Sequence, residues 1–245
     1  MKVCTKKIDS QVLIFPDGFP YIAANMQLDW YDSSHWLKKD QIIGESTGRH
    51  ITWFIKSPFD TNGKTWVLRH YYRGGMISKM TPDRFIFTGL NRTRGFREVK
   101  LLLHMVEIGL PVPKAVGARI NRKGLLYTAD LLMEKIEAKD LVAVLSKSSL
   151  GGEQWRAVGK TIATFHAKGI YHADLNAHNV LLDDNDKVWL IDFDRCEKRT
   201  LHTSWQQQNM ERLKRSFMKE KKLLRQFYFD EYDWQNLMLG YRSVI

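Results

Sequence analysis

The side chains with chemical potential are concentrated in Tyr171–Arg195, YHADLNAHNVLLDDNDKVWLIDFDR. Asp174 stands five residues before Asn179. Asp192 follows after two short apolar runs, Val180-Leu181-Leu182 and Val188-Trp189-Leu190-Ile191. Asp184-Asn185-Asp186 between the runs has the chemistry of a turn. A hairpin centred there is expected to set Val180 against Ile191 and Asn179 opposite Asp192. Its open end would then gather Asn179, Asp192 and, on the loop leading in, Asp174. Amide and carboxylate oxygens are hard ligands of the kind Mg²⁺ takes. With two of them on a metal, the third carboxylate is left to orient a hydroxyl and accept its proton, the division of labour in phosphoryl transfer. His172, Asp174 and His178 leave a second chemistry open, zinc-dependent phosphohydrolysis, although no further ligand accompanies them. His172 reads better as a packed residue of the loop than as a base, and His178 as a support behind it.

These residues need elements to position them. Gln41–Ile43 and Ile51–Ile55 read as strands flanking Gly44–Arg49, a hairpin with a glycine-bearing loop. Thr65–Tyr72 is a third strand, rich in β-branched and aromatic residues. Arg94–Ile108 reads as a helix, with Phe96, Val99, Leu103 and Val106 at helical spacing and Gly109 and Pro111 as the stop. The turn Asn121–Gly124 leads into a strand over Leu125–Met133. Beyond it the chain turns helical. Glu153–Lys168 places Trp155, Val158, Ile162 and Phe165 on one face and ends at Gly169. Asn209–Phe227 places Leu213, Phe217 and Leu224 on one face. There is no internal repeat and no low-complexity linker. The pattern predicts an α+β protein in two parts, residues 1–135 and 136–245, joined near Met133–Ala138. The cleft between them is the default ligand site.

Composition narrows the setting. The chain has 245 residues, 44% of them hydrophobic, enough for a substantial core. Its two cysteines, Cys4 and Cys196, form no disulfide framework and suit a reducing compartment. Val12–Phe15 is too short for a signal-peptide core, and no apolar run approaches the ~20 residues that span a bilayer. The expectation is an intracellular protein not integral to a membrane. The net charge of +11 predicts an anionic partner: nucleic acid, lipid headgroups or a phosphorylated substrate. Nine basic residues between Lys64 and Lys100 face only Asp83 and Glu98, and seven between Arg212 and Arg225 face only Glu220. No recognised RNA-binding signature accompanies them, which leaves nucleic acid a distant alternative. For the helix Asn209–Phe227, packing of the apolar face with solvation of the rest is the commoner arrangement.

His172-Ala173-Asp174-Leu175-Asn176-Ala177-His178-Asn179 resembles the H-R-D-L-x-x-x-N catalytic loop of protein kinases, and Ile191-Asp192-Phe193-Asp194 resembles their D-F-G segment. Asp194 departs from that glycine. Val67-Leu68-Arg69 resembles the end of the V-A-I-K strand, with arginine for lysine. Glu98 is then its expected acidic partner, since Leu102 and Met105 share its helix face; it also reads as an ordinary exposed glutamate. Gly44–Gly48 would cover phosphates without a full G-x-G-x-x-G, and both glycines also read as plain hairpin residues. Met133–Ile136 would run behind an adenine pocket. The strings LRHYYRGG, GLPVPKAVGARI, HADLNAHNVLL, LIDFDRC and RLKRSF are similar to the bacterial 3-deoxy-D-manno-octulosonic acid (Kdo) kinase family, a lipopolysaccharide kinase branch of the protein-kinase-like fold. The resemblance runs from Gln41 to Phe227.

It implies a two-lobed fold, with an antiparallel-sheet N-lobe and a mainly helical C-lobe. It implies ATP as phosphoryl donor with Mg²⁺, Asp174 as catalytic base, Asn179 and Asp192 as metal ligands, and Arg69, Glu98, Gly44 and Gly48 at the ATP phosphates. The implied acceptor is the 4-hydroxyl of Kdo on a lipid A precursor, at the cytoplasmic face of the inner membrane. Arg73, Arg92 and Arg94 are candidates for gripping that anionic acceptor. The basic surface would favour peripheral attachment to anionic lipid, and no obligate protein partner is evident. Alternatives are a kinase for another core sugar such as heptose, a small-molecule kinase of aminoglycoside or choline type, and a non-catalytic kinase-like module docking at membranes.

Overall fold

A computed structural model describes residues 2–17, 25–47, 51–59, 63–73 and 83–245. The chain divides into two compact units. Residues 1–107 and 113–135 form the first, and residues 108–112 and 136–245 the second. Ile108–Val112, which the sequence placed in the first part, clusters with the second, where Pro111 O accepts a bond from Leu190 N–H at 3.1 Å.

The first unit is built on an antiparallel sheet. Its strands are β1 (Val3–Ile8), β2 (Gln11–Pro16), β3 (Ile42–Thr47), β4 (Ile51–Lys56), β5 (Thr65–His70), β6 (Phe85–Ile86), β7 (Ala115–Lys123) and β8 (Leu126–Glu134). They run β1-β2-β7-β8-β5-β4-β3, with β6 paired to β8. A short helix α1 (Ser33–Lys38) follows a 3₁₀ turn at Leu28–Tyr31, and α2 (Arg94–Glu107) packs on β7, β2 and β8. Gly95 lets α2 approach closely, since a Cβ there would lie 3.1 Å from Ala118 Cβ and Ile120 Cδ1. The other face carries Leu13, Phe15, Ile55, Trp66, Leu68, Val116 and Leu132, covered by Trp30, Tyr31 and Trp36. Burying each such side chain stabilises the fold by about 1.5–3 kcal/mol.

Two expectations change here, and one hairpin is new. Gly44 lies inside β3, paired with Phe54, and not in a loop; a bulge between Ile42 and Gly44 keeps the strand going through Ser46 and Thr47. Asn121-Arg122-Lys123 belong to β7, which leaves Gly124 (φ 62°) and Leu125 as a two-residue turn. The left-handed glycine matches the twist of a tight hairpin. The N-terminal hairpin of β1 and β2 had no strong alternation to announce it.

The second unit contains β9 (Lys139–Asp140), α3 (Leu141–Leu145), α4 (Gly152–Ala167), β10 (Ile170–Tyr171), β11 (Val180–Leu182), β12 (Val188–Leu190), β13 (Glu197–Lys198), α5 (Thr203–Leu223) and α6 (Glu231–Arg242). The helix expected at Asn209–Phe227 therefore starts six residues earlier and ends four earlier. His202 Nδ1 caps its start by accepting from Ser204 N–H. Leu224 is extended and partly exposed rather than on the buried face. The chain leaves the helix to lay Phe229 on Phe217, with ring centroids 4.6 Å apart, and on Trp155, 5.5 Å apart.

Helices α4 and α6 meet backbone to backbone. A Cβ on Gly159 would lie 1.9 Å from Leu237 O, and one on Gly240 would lie 2.0 Å from Arg156 O. Alanine is the better helix former by about 1 kcal/mol, yet here it must push two helices apart. Gly240→Ala is expected to lose ~1–3 kcal/mol net, read as a lower urea midpoint. A midpoint equal to or above the parent's would show that the helices do not need this approach.

Candidate functional site

The catalytic-loop segment begins at buried His172. Its Nδ1 accepts from Asp174 N–H at 3.2 Å, and its Nε2 lies 3.0 Å from Ile191 O. Those partners require the hydrogen on Nε2. Burial pushes the His172 pKa below the ordinary histidine value, against the bond to Ile191 O. The imidazole is thus a neutral strut between Asp174 and the residue before Asp192. With both nitrogens engaged, His172 is not available to a metal, and the described residues hold no group of three His, Cys, Asp or Glu able to bind one. The zinc alternative loses its first ligand.

Asn176 caps the turn that follows, its Oδ1 accepting from the N–H groups of His178 and Asn179. Its Nδ2 donates to Asp174 O at 3.1 Å and to Asp174 Oδ2 at 3.2 Å. Asn179 is buried, and its Nδ2 donates to Asp174 O at 2.9 Å. The Asp174 backbone is held from three sides while its carboxylate is left 55% exposed. His178 sits between two carboxylates, 3.5 Å from Asp140 and 3.6 Å from Glu220.

The hairpin forms, with its register one residue away from expectation. Val180 pairs with Leu190 rather than Ile191. Asn179 consequently faces Ile191, whose N–H donates to Asn179 O at 3.1 Å, and not Asp192. The cause is the three-residue loop Asp184–Asp186, closed by Asp183 N–H on Lys187 O. Asp183 Oδ1 accepts from Asn185 and Lys187 N–H, its Oδ2 accepts from Trp189 Nε1, and Asp186 adopts φ 58°. A one-residue slip moves side chains to the opposite face of a strand. Asp192 escapes that alternation by leaving the extended conformation, at φ 62°. A left-handed backbone at a non-glycine residue costs energy and is concentrated at functional positions. Phe193 anchors the turn, stacked on Phe165 at 6.0 Å and tilted against His172 at 5.0 Å. Asp194 is not among the residues with positive φ, so its side chain is accommodated where kinases carry glycine.

Residues of α5 to which the sequence reading gave no role at the loop meet it. Asn209 Nδ2 donates to His172 O at 3.1 Å and its Oδ1 accepts from His172 N–H at 3.3 Å. Ser216 Oγ accepts from Ala177 N–H at 3.1 Å. Arg212 Nη1 lies 3.3 Å from Asp174 Oδ1. Their helical spacing was visible, but nothing local marked it as facing the loop. Cys196 is buried, with its Sγ 3.2 Å from Ala173 N, and is a packing residue rather than an accessible thiol.

In the first unit, Arg69 projects from β5 toward α2. Its Nη2 donates to Glu98 Oε1 at 2.7 Å and Oε2 at 2.6 Å. Glu98 is buried (2%) and also accepts from Tyr71 Oη at 2.7 Å. Tyr71 was not foreseen, although it stands two residues after Arg69 in the same string. Gly44, in β3, is apart from any loop, and Gly48 lies outside the described residues, as does Lys79 of the basic cluster. Arg94 donates to Tyr72 O at 3.0 Å and stacks on Phe85 at 4.6 Å; Arg73 lies 5.5 Å from the same ring. Arg92 is exposed in the short turn before α2. A cavity of about 700 Å³ opens on the other face of the sheet from Arg69, lined by Tyr31, Asp32, His70, Arg119 and Asp130 among others. It holds none of the candidate residues.

Behind the catalytic loop, buried His166 contacts Tyr241 Oη at 2.6 Å and Asn209 Oδ1 at 3.3 Å. Burial pushes its pKa down to about 4. The unfolded histidine takes up its proton below about pH 6.5, so stability present above that value is lost as pH falls toward 4. The expected loss is ~3 kcal/mol. His70 has the opposite sign. Burial lowers its pKa, but Asp130 and Asp83 raise it above the ordinary value. Its contribution is full below about pH 6.5 and is lost as pH rises through the folded pKa. Comparing His166→Gln with the parent isolates the first effect. Urea unfolding across pH 4–7 should show a flatter acid limb in the variant; identical limbs would remove the assignment.

A sheet unit with a strand arginine on a buried helix glutamate, and a helical unit with an H-x-D-x-x-x-x-N loop strutted to an Asp-Phe turn, define a protein-kinase-like ATP-dependent phosphotransferase. Comparison with known proteins agrees. The profile of the lipopolysaccharide kinase (Kdo/WaaP) family matches residues 33–241. The chain is 45% identical to a 3-deoxy-D-manno-octulosonic acid kinase of Mannheimia succiniciproducens, over 89% of this chain and 91% of that one. It is 43% identical to one of Haemophilus influenzae, over 96% and 98% of the two chains. To one of Vibrio vulnificus it is 41% identical, over 89% and 90%. The chain belongs to the lipopolysaccharide kinase (Kdo/WaaP) family.

Proposed function

We propose that the protein transfers the γ-phosphate of ATP to the 4-hydroxyl of a Kdo sugar on a lipid A precursor, at the cytoplasmic face of the bacterial inner membrane. The observation that carries the reading is the strut of His172, from Asp174 N–H to Ile191 O, together with the bond of Asn179 to Asp174 O. It ties the candidate base to both candidate metal ligands. The near full-length similarity to kinases named for Kdo supports the acceptor.

The donor set fits magnesium. Asn179 commits its Nδ2 to Asp174 O, which leaves the amide oxygen for a cation, and Asp192 supplies a carboxylate on a strained backbone. When bound, Mg²⁺-ATP supplies the phosphoryl group and neutralises its charge. The chain does the positioning. Asp174 presents an exposed carboxylate to the acceptor hydroxyl, orients it and accepts its proton. Arg69, held by Glu98 and Tyr71, offers its guanidinium to phosphate oxygens. No helix among the described residues is long and apolar enough to cross a membrane. Exposed Arg215 and Lys219 on α5 suit attraction to anionic headgroups.

The test is transfer of labelled γ-phosphate to Kdo-bearing lipid A precursor, with Kdo-free precursor as control and the phosphate located on the product by NMR. Label confined to the Kdo-bearing lipid, at position 4, is the expected result. Label on neither, in protein that binds ATP, would overturn the acceptor. Label on the Kdo-free lipid would move the reaction to another hydroxyl.

A further inference from the structure

We propose that Arg212 binds an anionic group of the acceptor, a sugar carboxylate close to the hydroxyl that Asp174 activates, and so selects acidic sugars over neutral ones. The inference rests on the kinase reading above and concerns a residue that reading does not use.

Asn209, Arg212 and Ser216 lie at positions i, i+3 and i+7 of α5, one stripe of the helix. The outer two are bonded to the loop backbone on either side of Asp174. Asn209 holds both the N–H and the C=O of His172, and Ser216 holds the N–H of Ala177. The helix is thereby registered against the loop, and Arg212 is set beside the carboxylate of Asp174 by two fixed anchors rather than by a chance surface encounter.

The contact it makes there is loose. At 3.3 Å, Arg212 Nη1 to Asp174 Oδ1 is longer than the 2.7–2.9 Å of a committed charge-assisted bond. Arg212 is 46% exposed. A guanidinium has five N–H donors in a planar fork, and Asp174 engages one nitrogen of it. The remaining edge is open to solvent beside the oxygen that must receive the acceptor hydroxyl. A fork of that geometry suits a carboxylate, which it grips by two parallel bonds. The polar side chains of the loop after Asp174 are turned to other partners: Asn176 donates back to Asp174, and His178 lies 3.5 Å from Asp140 and 3.6 Å from Glu220. A sugar acid carries its carboxylate a few bonds from its ring hydroxyls, which lets one molecule touch Asp174 and Arg212 together.

The test crosses enzyme with acceptor. The parent, Arg212→Gln and Arg212→Lys are assayed on Kdo-bearing lipid A precursor and on the same lipid with its Kdo carboxylate converted to the carboxamide. The parent should prefer the carboxylate by about 10–100-fold in kcat/KM. Arg212→Gln should treat the two acceptors within about threefold, with the loss mainly in acceptor KM and the KM for ATP unchanged. Arg212→Lys, which keeps the charge without the fork, should fall between. Full preference retained in Arg212→Gln would overturn the proposal. So would an equal loss on both acceptors, which would make Arg212 a positioning residue for Asp174 alone. A parent that phosphorylates neither lipid would instead remove the kinase reading and this inference with it.

Discussion

Asp174→Ala is expected to lower kcat by about 10³-fold while leaving the fold and ATP affinity in place. The separation is possible because the loop is built from the backbone of Asp174, not from its side chain. His172 Nδ1 receives its N–H, and Asn179 and Asn176 donate to its C=O. All three bonds survive the substitution. The carboxylate itself meets Asn176 and Arg212 from a half-exposed position. Its loss should cost no more than the ~0.5 kcal/mol usual for a surface change. Turnover measured alongside calorimetric ATP binding checks both halves. Turnover above a tenth of the parent's would remove Asp174 as the base, and lost ATP binding would mean that the loop had collapsed.

Glu98→Ala should have the largest effect on stability, about 3–5 kcal/mol, because it removes the buried carboxylate that meets the mostly buried Arg69 guanidinium at both oxygens. Glu98 is 2% exposed and Arg69 17%, and Tyr71 Oη loses its acceptor as well. On the role proposed for Arg69 at the phosphates, the KM for ATP should rise in the same variant, since Glu98 no longer orients the guanidinium. Adding Arg69→Met should recover most of the stability, because an apolar replacement of a buried pair is often neutral, but none of the ATP affinity. The pair's coupling in a double-mutant cycle should exceed ~2 kcal/mol. Additive losses would mean that the two side chains do not depend on each other in solution.

How far the sequence led differs from residue to residue. Asp174, Asn179 and Asp192 were legible as candidates because their types, order and spacing lie within one short segment. Glu98 was half legible: Leu102 and Met105 share its helical stripe, yet it also read as an exposed helix glutamate, and the packing of the helix buries all three. Gly44 was misread, since a glycine among strand residues gives no local sign of whether the chain turns or runs on through a bulge. The hairpin register was missed by one residue. Its turn is governed by Asp183, whose carboxylate collects two backbone N–H groups and the Trp189 indole. Helix α5 was placed late because its first turn is polar and its cap is a histidine. Helix α6 was not seen, although it opens with a reciprocal Asp230–Asp233 cap.

By itself the sequence determined the class of chemistry this protein carries and where along the chain its candidate groups lie. A candidate base and two candidate hard ligands at loop-and-hairpin spacing, and a strand cation with a helix carboxylate to meet it, are matters of residue type and short-range period. Only the tertiary structure decided what those groups lean on. His172 is a neutral strut, Tyr71 is the second donor to Glu98, and Asn209 and Ser216 brace the loop, with Arg212 beside Asp174, from a helix some 40 residues further on. The reason is the range of the forces involved. Periodicity and turn chemistry act over a few residues, whereas the partner of a given donor depends on which distant surfaces pack together. That packing is settled by burial shared across the whole unit, which no short window of sequence contains.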